Sequence, residues 1–371
     1  VISHEFGHVL GLPDLYHPID GIEPESRRWV LGCWALMAGG AWGCDNPFTR
    51  TEAFGPTHFS PWSKDRLGWI DWIEVGDVLH QEFTLRGAQV SRSALMIPLD
   101  GMGREFLVVE FRPQEGFDAF LPASGVLVYH WDLLGVRRPD RGSGEPYLFA
   151  LEEADGRTDL RTTGTLGGNR GQASDAWGVG ERVGPMNSLS LPSTQRHADD
   201  RSSTVTIHSF EVAGDVARVR ITTAVTPAVL SPDGLPPGRL FGSFEGRLLV
   251  AGGSLPYSVA LAKGAPASGL TVRVDGEDLV VEGAPVQVGQ LQLPVILTDS
   301  RGSLGESVLT LTVGPFMVSD GRLVEPFVLN GEVPLTELER GHLDAEGNGN
   351  GLFDIGDARA HLRRSASGSG G

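Results

Sequence analysis

Val1-Ile-Ser-His-Glu-Phe-Gly-His-Val-Leu-Gly-Leu-Pro-Asp-Leu-Tyr16 is the stretch from which the rest of the chain is read. His4 and His8 are four residues apart, so on a helix they share one face and both imidazoles can reach one ion. Glu5 lies beside them. Two imidazoles leave zinc needing a third protein ligand and an open position, and a nearby carboxylate can take a proton from water there. H-E-x-x-H supplies the ligand pair and the base together.

Gly11 can adopt the left-handed conformation that ends a helix, and Pro13 stops the helix from resuming. The turned chain can then return a third ligand. Asp14 stands where the pattern H-E-x-x-H-x-x-G-x-x-H carries its last histidine, and a carboxylate is an acceptable zinc ligand. Asp14 could instead cap the following turn, with His17, Glu23 or Glu25 as the alternative third ligand. Two histidines and a glutamate could also be a solvated helix face, but Gly11, Pro13 and Asp14 together favour the metal.

Further along come C-W-A-L-M-A-G-G-A-W at 33–42, H-F-S-P-W-S-K-D-R-L-G-W-I at 58–70, E-F-L-V-V-E-F-R at 105–112, G-F-D-A-F-L-P-A-S-G-V-L-V-Y-H-W-D at 116–132 and L-E-E-A-D-G at 151–156. With the opening stretch, these resemble the immune inhibitor A-like family of secreted bacterial zinc metalloproteases over about the first 220 residues. The resemblance implies zinc on His4 and His8, Glu5 as general base, and Met37 in a methionine turn beneath the metal. Gly39 and Gly40 permit the tight turn, and Met37 can also simply fill the core. The resemblance implies protein or peptide substrates and an extracellular location. Proteases of this type place the upper wall of the cleft before the zinc helix. The chain therefore reads as a fragment lacking the propeptide and the first part of its catalytic domain, with little or no activity alone.

Cys33 and Cys44 flank Met37. In the oxidising compartment that the family implies, a bridge between them closes a short loop, stabilising the fold by roughly 3 kcal/mol.

The 371 residues are too many for one compact core and read as about two to four domains. A balance of 47 acidic to 30 basic residues disfavours nucleic acid and anionic membranes as partners and suits an extracellular or calcium-binding protein. No apolar run is long enough to span a membrane. With 51 glycines and 24 prolines between Val-, Leu- and Thr-rich runs, the expected architecture is multidomain and mainly β.

Residues 1–75 read as the C-terminal part of an α/β metzincin-like catalytic domain, including a short helix through Trp62, Leu67 and Trp69 with Ser60 as N-cap and Pro61 first. Residues 76–224 read as a β-sandwich with strands at Phe106–Phe111 and Val126–Trp131. There His130 and Asp132 could be structural, or His130 could approach the cleft. Gly164–Gly184 reads as a surface loop that could hold calcium through Asp175. Thr226–Gly238 is a linker by composition. Residues 225–314 resemble bacterial immunoglobulin-like β-sandwich modules.

Residues 315–371 read as a linker and a calcium loop-helix tail. In Leu343-Asp-Ala-Glu-Gly-Asn-Gly-Asn-Gly-Leu-Phe-Asp-Ile-Gly-Asp357, taking Gly351 as the sharp-turn glycine puts oxygen side chains at Glu346, Asn348, Asn350, Asp354 and Asp357, the positions calcium loops use. This resembles half of a dockerin-like calcium repeat, a module that could engage a protein partner. A polar Asn-Gly turn before a helix starting at Asp357 is the plainer reading, and the last seven residues read as a flexible end.

The expected function is that of a zinc-dependent endopeptidase fragment. The competing expectation is a non-catalytic extracellular adhesion protein that binds through its β-modules and calcium loop. The intact His4, Glu5 and His8 favour the enzyme. Substrate specificity has no signature in the sequence.

Overall fold

The runs Glu105–Arg112 and Gly125–Asp132 pair antiparallel, with Val108 opposite Tyr129 and Glu105 opposite Asp132, as the middle of a five-stranded sheet. The computed structural model describes residues 1–18, 23–44, 55–99, 103–140, 143–197, 203–231, 234–265, 267–316, 323 and 335–368. The first strands in chain order are β1 Asp71–Glu74, β2 Gln81–Arg86, β3 Ser93–Pro98, β4 Glu105–Arg112, β5 Gly125–Asp132, β6 Phe149–Leu151, β7 Thr206–Ala213 and β8 Val216–Thr222. The five-stranded sheet runs β1-β3-β4-β5-β6, with β1 parallel to β3 and the other neighbours antiparallel. A three-stranded antiparallel sheet runs β2-β8-β7.

Every residue of β5 is buried, which requires cover on both faces of the sheet. On one face Val108, Leu127, Tyr129 and Trp131 pack with Leu12, Leu15, Trp29, Trp34 and Met37. On the other, Leu107, Val109, Phe111, Val126 and Val128 pack with Leu85, Phe210, Val219 and Ile221 from the three-stranded sheet. The irregular N-terminal segment and the three-stranded sheet thus sandwich a common central sheet. That explains why β4 and β5 read as apolar runs rather than strict alternation.

Two helices belong to this part, α1 Ile2–Val9 and α2 Pro61–Arg66. Ser60 caps α2 by accepting from the Ser63 amide, with Pro61 in the first position. The helix stops before the expected Leu67 and Trp69, because Gly68 turns at φ 68°, and Trp69 is left 45% exposed.

The chain divides into two compact units: Val1–Pro227 with Ala251–Tyr257 and Thr298–Leu304, and Ala228–Val250 with Ser258–Leu297 and Gly305–Gly371. Residues 228–314 carry β9 Ala228–Val229, β10 Gly238–Arg239, β11 Phe244–Ala251, β12 Ser258–Leu261, β13 Leu270–Asp275, β14 Asp278–Gly283, β15 Gly289–Thr298 and β16 Leu304–Gly314. They form two four-stranded sheets, β9-β11-β14-β13 and β10-β16-β15-β12. Burial alternates along β15 through Leu291, Leu293, Val295 and Leu297, giving it one covered face. The segment expected as a linker, 226–238, contributes β9 to one sheet and reaches β10 of the other, with residues 232 and 233 outside the described set.

The linker expected after residue 314 lies mostly outside the described residues. Among the described residues, the tail holds a helix before the loop that was not expected. α3 Glu337–Glu346 starts at a capping box in which Thr336 and Glu339 satisfy each other's amides, and α4 Ile355–Gly368 follows. α4 begins two residues before the expected Asp357 and takes in Ser365–Gly368 of the stretch expected as a flexible end. Among the described residues no helix is long and apolar enough to cross a membrane.

Candidate metal centre

α1 ends where the sequence says it must. Gly11 adopts φ 88°, its amide bonds the His8 carbonyl at 2.9 Å, and the Leu12 amide bonds the Gly7 carbonyl at 3.0 Å. This pair of bonds is a Schellman turn, which needs a left-handed residue after the helix. The turn buries Leu12 and sends Asp14 back along the helix.

Asp14 Oδ1 then lies 3.1 Å from His4 Nε2 and 3.3 Å from His8 Nε2. Both other ring nitrogens are engaged: His4 Nδ1 lies 2.8 Å from the Leu36 carbonyl and His8 Nδ1 lies 2.7 Å from the Leu12 carbonyl. A carbonyl only accepts, so each Nδ1 carries the proton in the neutral ring, and each Nε2 lone pair faces Asp14. Carbonyls behind the ligands are the arrangement that orients metal-bound histidines. Two imidazoles and a carboxylate converging this way form a donor set that zinc accepts, and the three offer ligand atoms within 4.8 Å of one another.

Burial works to lower His4's pKa, but the hydrogen bond with Asp14 and that with Leu36 outweigh it and raise the value. Burial pushes Asp14 up, yet the His4 hydrogen bond and the charges of His8, His4 and Arg138 hold it below its ordinary value. Arg138 Nη2 stands 3.2 Å from Asp14 Oδ2, on the side away from the histidines' contact with Oδ1. His4 is buried with its side chain 5% exposed, while His8 remains 35% exposed, so the centre opens to solvent along His8. Glu5 is exposed on α1, one turn before His8.

Met37 lies directly beneath α1. A Cβ added to Gly7 would meet Met37 Sδ at 2.5 Å, and Met37 is fully buried. The Met37 carbonyl accepts from the Leu15 amide at 2.8 Å, so one segment braces both the helix and the loop that carries Asp14. Cys33 and Cys44 are joined by a disulfide that closes this segment.

A buried ionic network ties the segment to the central sheet. Arg112 donates from Nε and Nη2 to the two oxygens of Asp118 at 2.6 and 2.7 Å, and from Nη1 to the Trp34 carbonyl at 2.8 Å and Glu110 Oε1 at 3.0 Å. Tyr129 donates to the same Glu110 oxygen at 2.9 Å. Nothing in the local spacing of these residues marks them, and sequence reading missed them.

The other candidate third ligands lie elsewhere. His17 pairs with Arg28 in a two-residue ladder, and Glu23 and Glu25 are exposed. His130 is on the face of β5 that bears Val126 and Val128, opposite the face packed against Met37, so it points away from this centre. Asp175 is fully buried, its Oδ2 accepting from Trp34 Nε1 and the Gln172 amide at 2.9 Å each. It fastens the 164–184 segment over the Met37 segment.

In the tail, Asn348, Asn350, Asp354 and Asp357 do come together. Asp354 Oδ2 accepts from both amide side chains at 3.1 Å, and Asp357 accepts from the Asn348 and Asp354 backbone amides. The carboxylate at the loop's entrance is Asp344, which accepts from the Asn350 and Gly351 amides at 2.9 and 3.0 Å. Glu346 instead faces His342, His361 and Arg364.

Residues 1–72 match the family model described as "Immune inhibitor A peptidase M6, catalytic domain". That match covers the first 72 of the 371 residues. No curated protein matches the chain. Among solved structures, the chain is similar to CopC from Methylosinus trichosporium OB3b, at 17% identity over 25% of this chain and 98% of that one, with a TM-score of 0.19. It is also similar to a Bacteroides fragilis protein assigned as an alpha-galactosidase/melibiase, at 15% identity over 24% of this chain and 18% of that one, with a TM-score of 0.20. A third likeness is to the human Desmocollin-1 ectodomain, at 8% identity over 67% and 57%, with a TM-score of 0.21.

Proposed function

We propose that this chain is part of a secreted, zinc-dependent endopeptidase of the immune inhibitor A type, with His4, His8 and Asp14 as the zinc ligands and Glu5 as the general base. The observation that carries the reading is the convergence of both Nε2 atoms on Asp14 Oδ1, at 3.1 and 3.3 Å, with both Nδ1 atoms tied off to backbone carbonyls. The match of residues 1–72 supports it.

Bound zinc would supply a Lewis acid at the scissile carbonyl and acidity to a water molecule. The chain's own residues do the remainder. His4 and His8 hold their lone pairs in fixed directions because Leu36 and Leu12 occupy the opposite nitrogens. Asp14 adds a negative charge that Arg138 partly balances. Glu5, exposed beside the ligands, takes the water's proton and returns it to the leaving amine. His8's exposure leaves a side from which an extended protein or peptide substrate approaches.

Residues 228–314 serve in this reading as an immunoglobulin-like spacer module. The 344–357 loop serves as a dockerin-like calcium loop with Asp344, rather than Glu346, beside Asn348, Asn350, Asp354 and Asp357, and its occupant could recruit a protein partner. Carboxylate and amide oxygens are the ligands calcium prefers.

The test is casein hydrolysis by the full-length protein, with zinc content measured in parallel. Glu5→Ala is expected to abolish hydrolysis while zinc is retained, and His4→Ala to abolish hydrolysis and to lose the zinc of this centre. Hydrolysis that survives Glu5→Ala would remove Glu5 from the reaction.

A further inference from the structure

A second group of metal-type donors sits on the opposite face of the central sheet, and it goes beyond the protease reading. Glu105 opens β4, His130 lies near the end of β5, and His197 comes from the chain that precedes β7. Glu105 Oε2 lies 3.1 Å from His130 Nε2 and accepts from the His197 amide at 2.7 Å. The three offer ligand atoms within 4.8 Å of one another. Asp132 flanks them, with Oδ2 3.8 Å from His197 Nδ1 and Oδ1 held by the Leu134 amide at 2.8 Å.

We propose that Glu105, His130 and His197 form a second transition-metal site, of the two-histidine, one-carboxylate type that zinc favours, which fastens the segment at residue 197 to the central sheet.

Three observations carry this. The donors are of the right chemistry, and Glu105 and His130 are 1% and 2% exposed. Two buried groups of this kind are normally coordinated or paired. Zinc with tetrahedral ligands at its usual bond lengths sets neighbouring ligand atoms about 3.3 Å apart, so the Glu105 to His130 separation already suits it. A route for the ion exists as well. A cavity of about 510 Å3 opens beside the group, lined by His130, Tyr147, Glu152, Arg161 and His197 among others.

His197 must turn to complete the site. Its ring stacks on His130 at 3.7 Å and 9°, and two parallel rings cannot both aim a lone pair at one point between them. His197 is the partner with freedom to move, since its side chain is 29% exposed toward that cavity.

The three ligands are 25, 67 and 92 residues apart in sequence (130 − 105, 197 − 130, 197 − 105), so an ion here would hold together elements that chain proximity does not.

The experiment uses the full chain with the first centre removed by His4→Ala and His8→Ala. After zinc loading and dialysis at neutral pH, elemental analysis is expected to give one zinc per chain, falling to none when His197→Ala is added. Cobalt loading of the same two proteins is expected to give the visible absorption of a tetrahedral centre in the first alone. His197→Ala removes a partly exposed side chain, and its circular dichroism and melting temperature check that the fold is kept. Two results overturn the proposal: a folded His4→Ala, His8→Ala protein that carries no zinc, or zinc content that His197→Ala leaves unchanged. Because the first centre is already absent, either result leaves the protease reading standing or falling by itself.

Discussion

The Nδ1 of His4 lies 2.8 Å from the carbonyl oxygen of Leu36, 32 residues further along the chain. That contact makes the orientation of His4 depend on the Met37 segment, and the Leu15 to Met37 bond makes Asp14's position depend on it too. The proposed metal centre, local in sequence, is therefore held from below by the segment around Leu36 and Met37.

Gly7→Ala tests the floor. The new Cβ would approach Met37 Sδ to 2.5 Å, so either α1 or Met37 must shift. Overpacking of this kind costs about 1–3 kcal/mol. A lower melting temperature together with weaker zinc binding is the expected outcome. An unchanged protein would show that Met37 yields freely and braces nothing.

Replacing both cysteines by serine releases the segment at its ends. The Cys33–Cys44 bridge closes a separation of 11 residues, for which loop-closure entropy gives about 3 kcal/mol. Denaturant unfolding of the double variant should show a loss of that order, with zinc affinity falling in parallel.

Asp118→Ala strikes the same segment from the sheet side. It leaves Arg112 buried without its bidentate partner, a change worth about 3–5 kcal/mol when one member of a buried pair is removed. Burial alone would raise the pKa of Asp118, but Arg112 holds it below its ordinary value. The stabilisation from this lowered carboxyl is therefore present above the unfolded carboxylate range and lost as pH falls below about 4. Acid titration of the melting temperature should show this loss in wild type and not in Asp118→Ala.

Glu153 has the opposite sign. Burial, reinforced by Asp175, pushes its pKa from 4.5 to about 8. A raised carboxyl contributes stability that is complete below about 4.5 and is lost as pH climbs through about 8. The melting temperature should fall by several degrees between pH 6 and pH 9. Glu153→Gln, which stays neutral and keeps an oxygen for one of the two amides, Asp159 and Leu160, that bond separate Glu153 oxygens, should flatten that slope.

What could be read in advance was whatever lies within one turn or one loop. His4, His8, Gly11 and Asp14 are linked by a helix and its Schellman turn, and both leave local spacing in the sequence. Asn348, Asn350, Asp354 and Asp357 are likewise close in sequence, yet the spacing points to Glu346 where the loop's amides bond Asp344. A helix before the loop, not foreseen, turns Glu346 toward His342 and His361 instead. The bond from Arg112 to the Trp34 carbonyl and the meeting of His197 with Glu105 join residues 78 and 92 positions apart in the chain. No local period records such pairings. The strand runs at 106–111 and 126–131 were legible as strands, but their two-sided burial needed a knowledge of what covers each face.

The central claim is that His4, His8 and Asp14 hold zinc, and zinc content is its most direct measure. Loaded and dialysed wild-type protein is compared with His4→Ala, His8→Ala protein by elemental analysis, with circular dichroism confirming that both are folded. The double substitution should lower the content by one zinc per chain, and Asp14→Ala should weaken that same zinc by about 10-fold or more. Equal zinc in the wild-type and doubly substituted proteins would contradict the account.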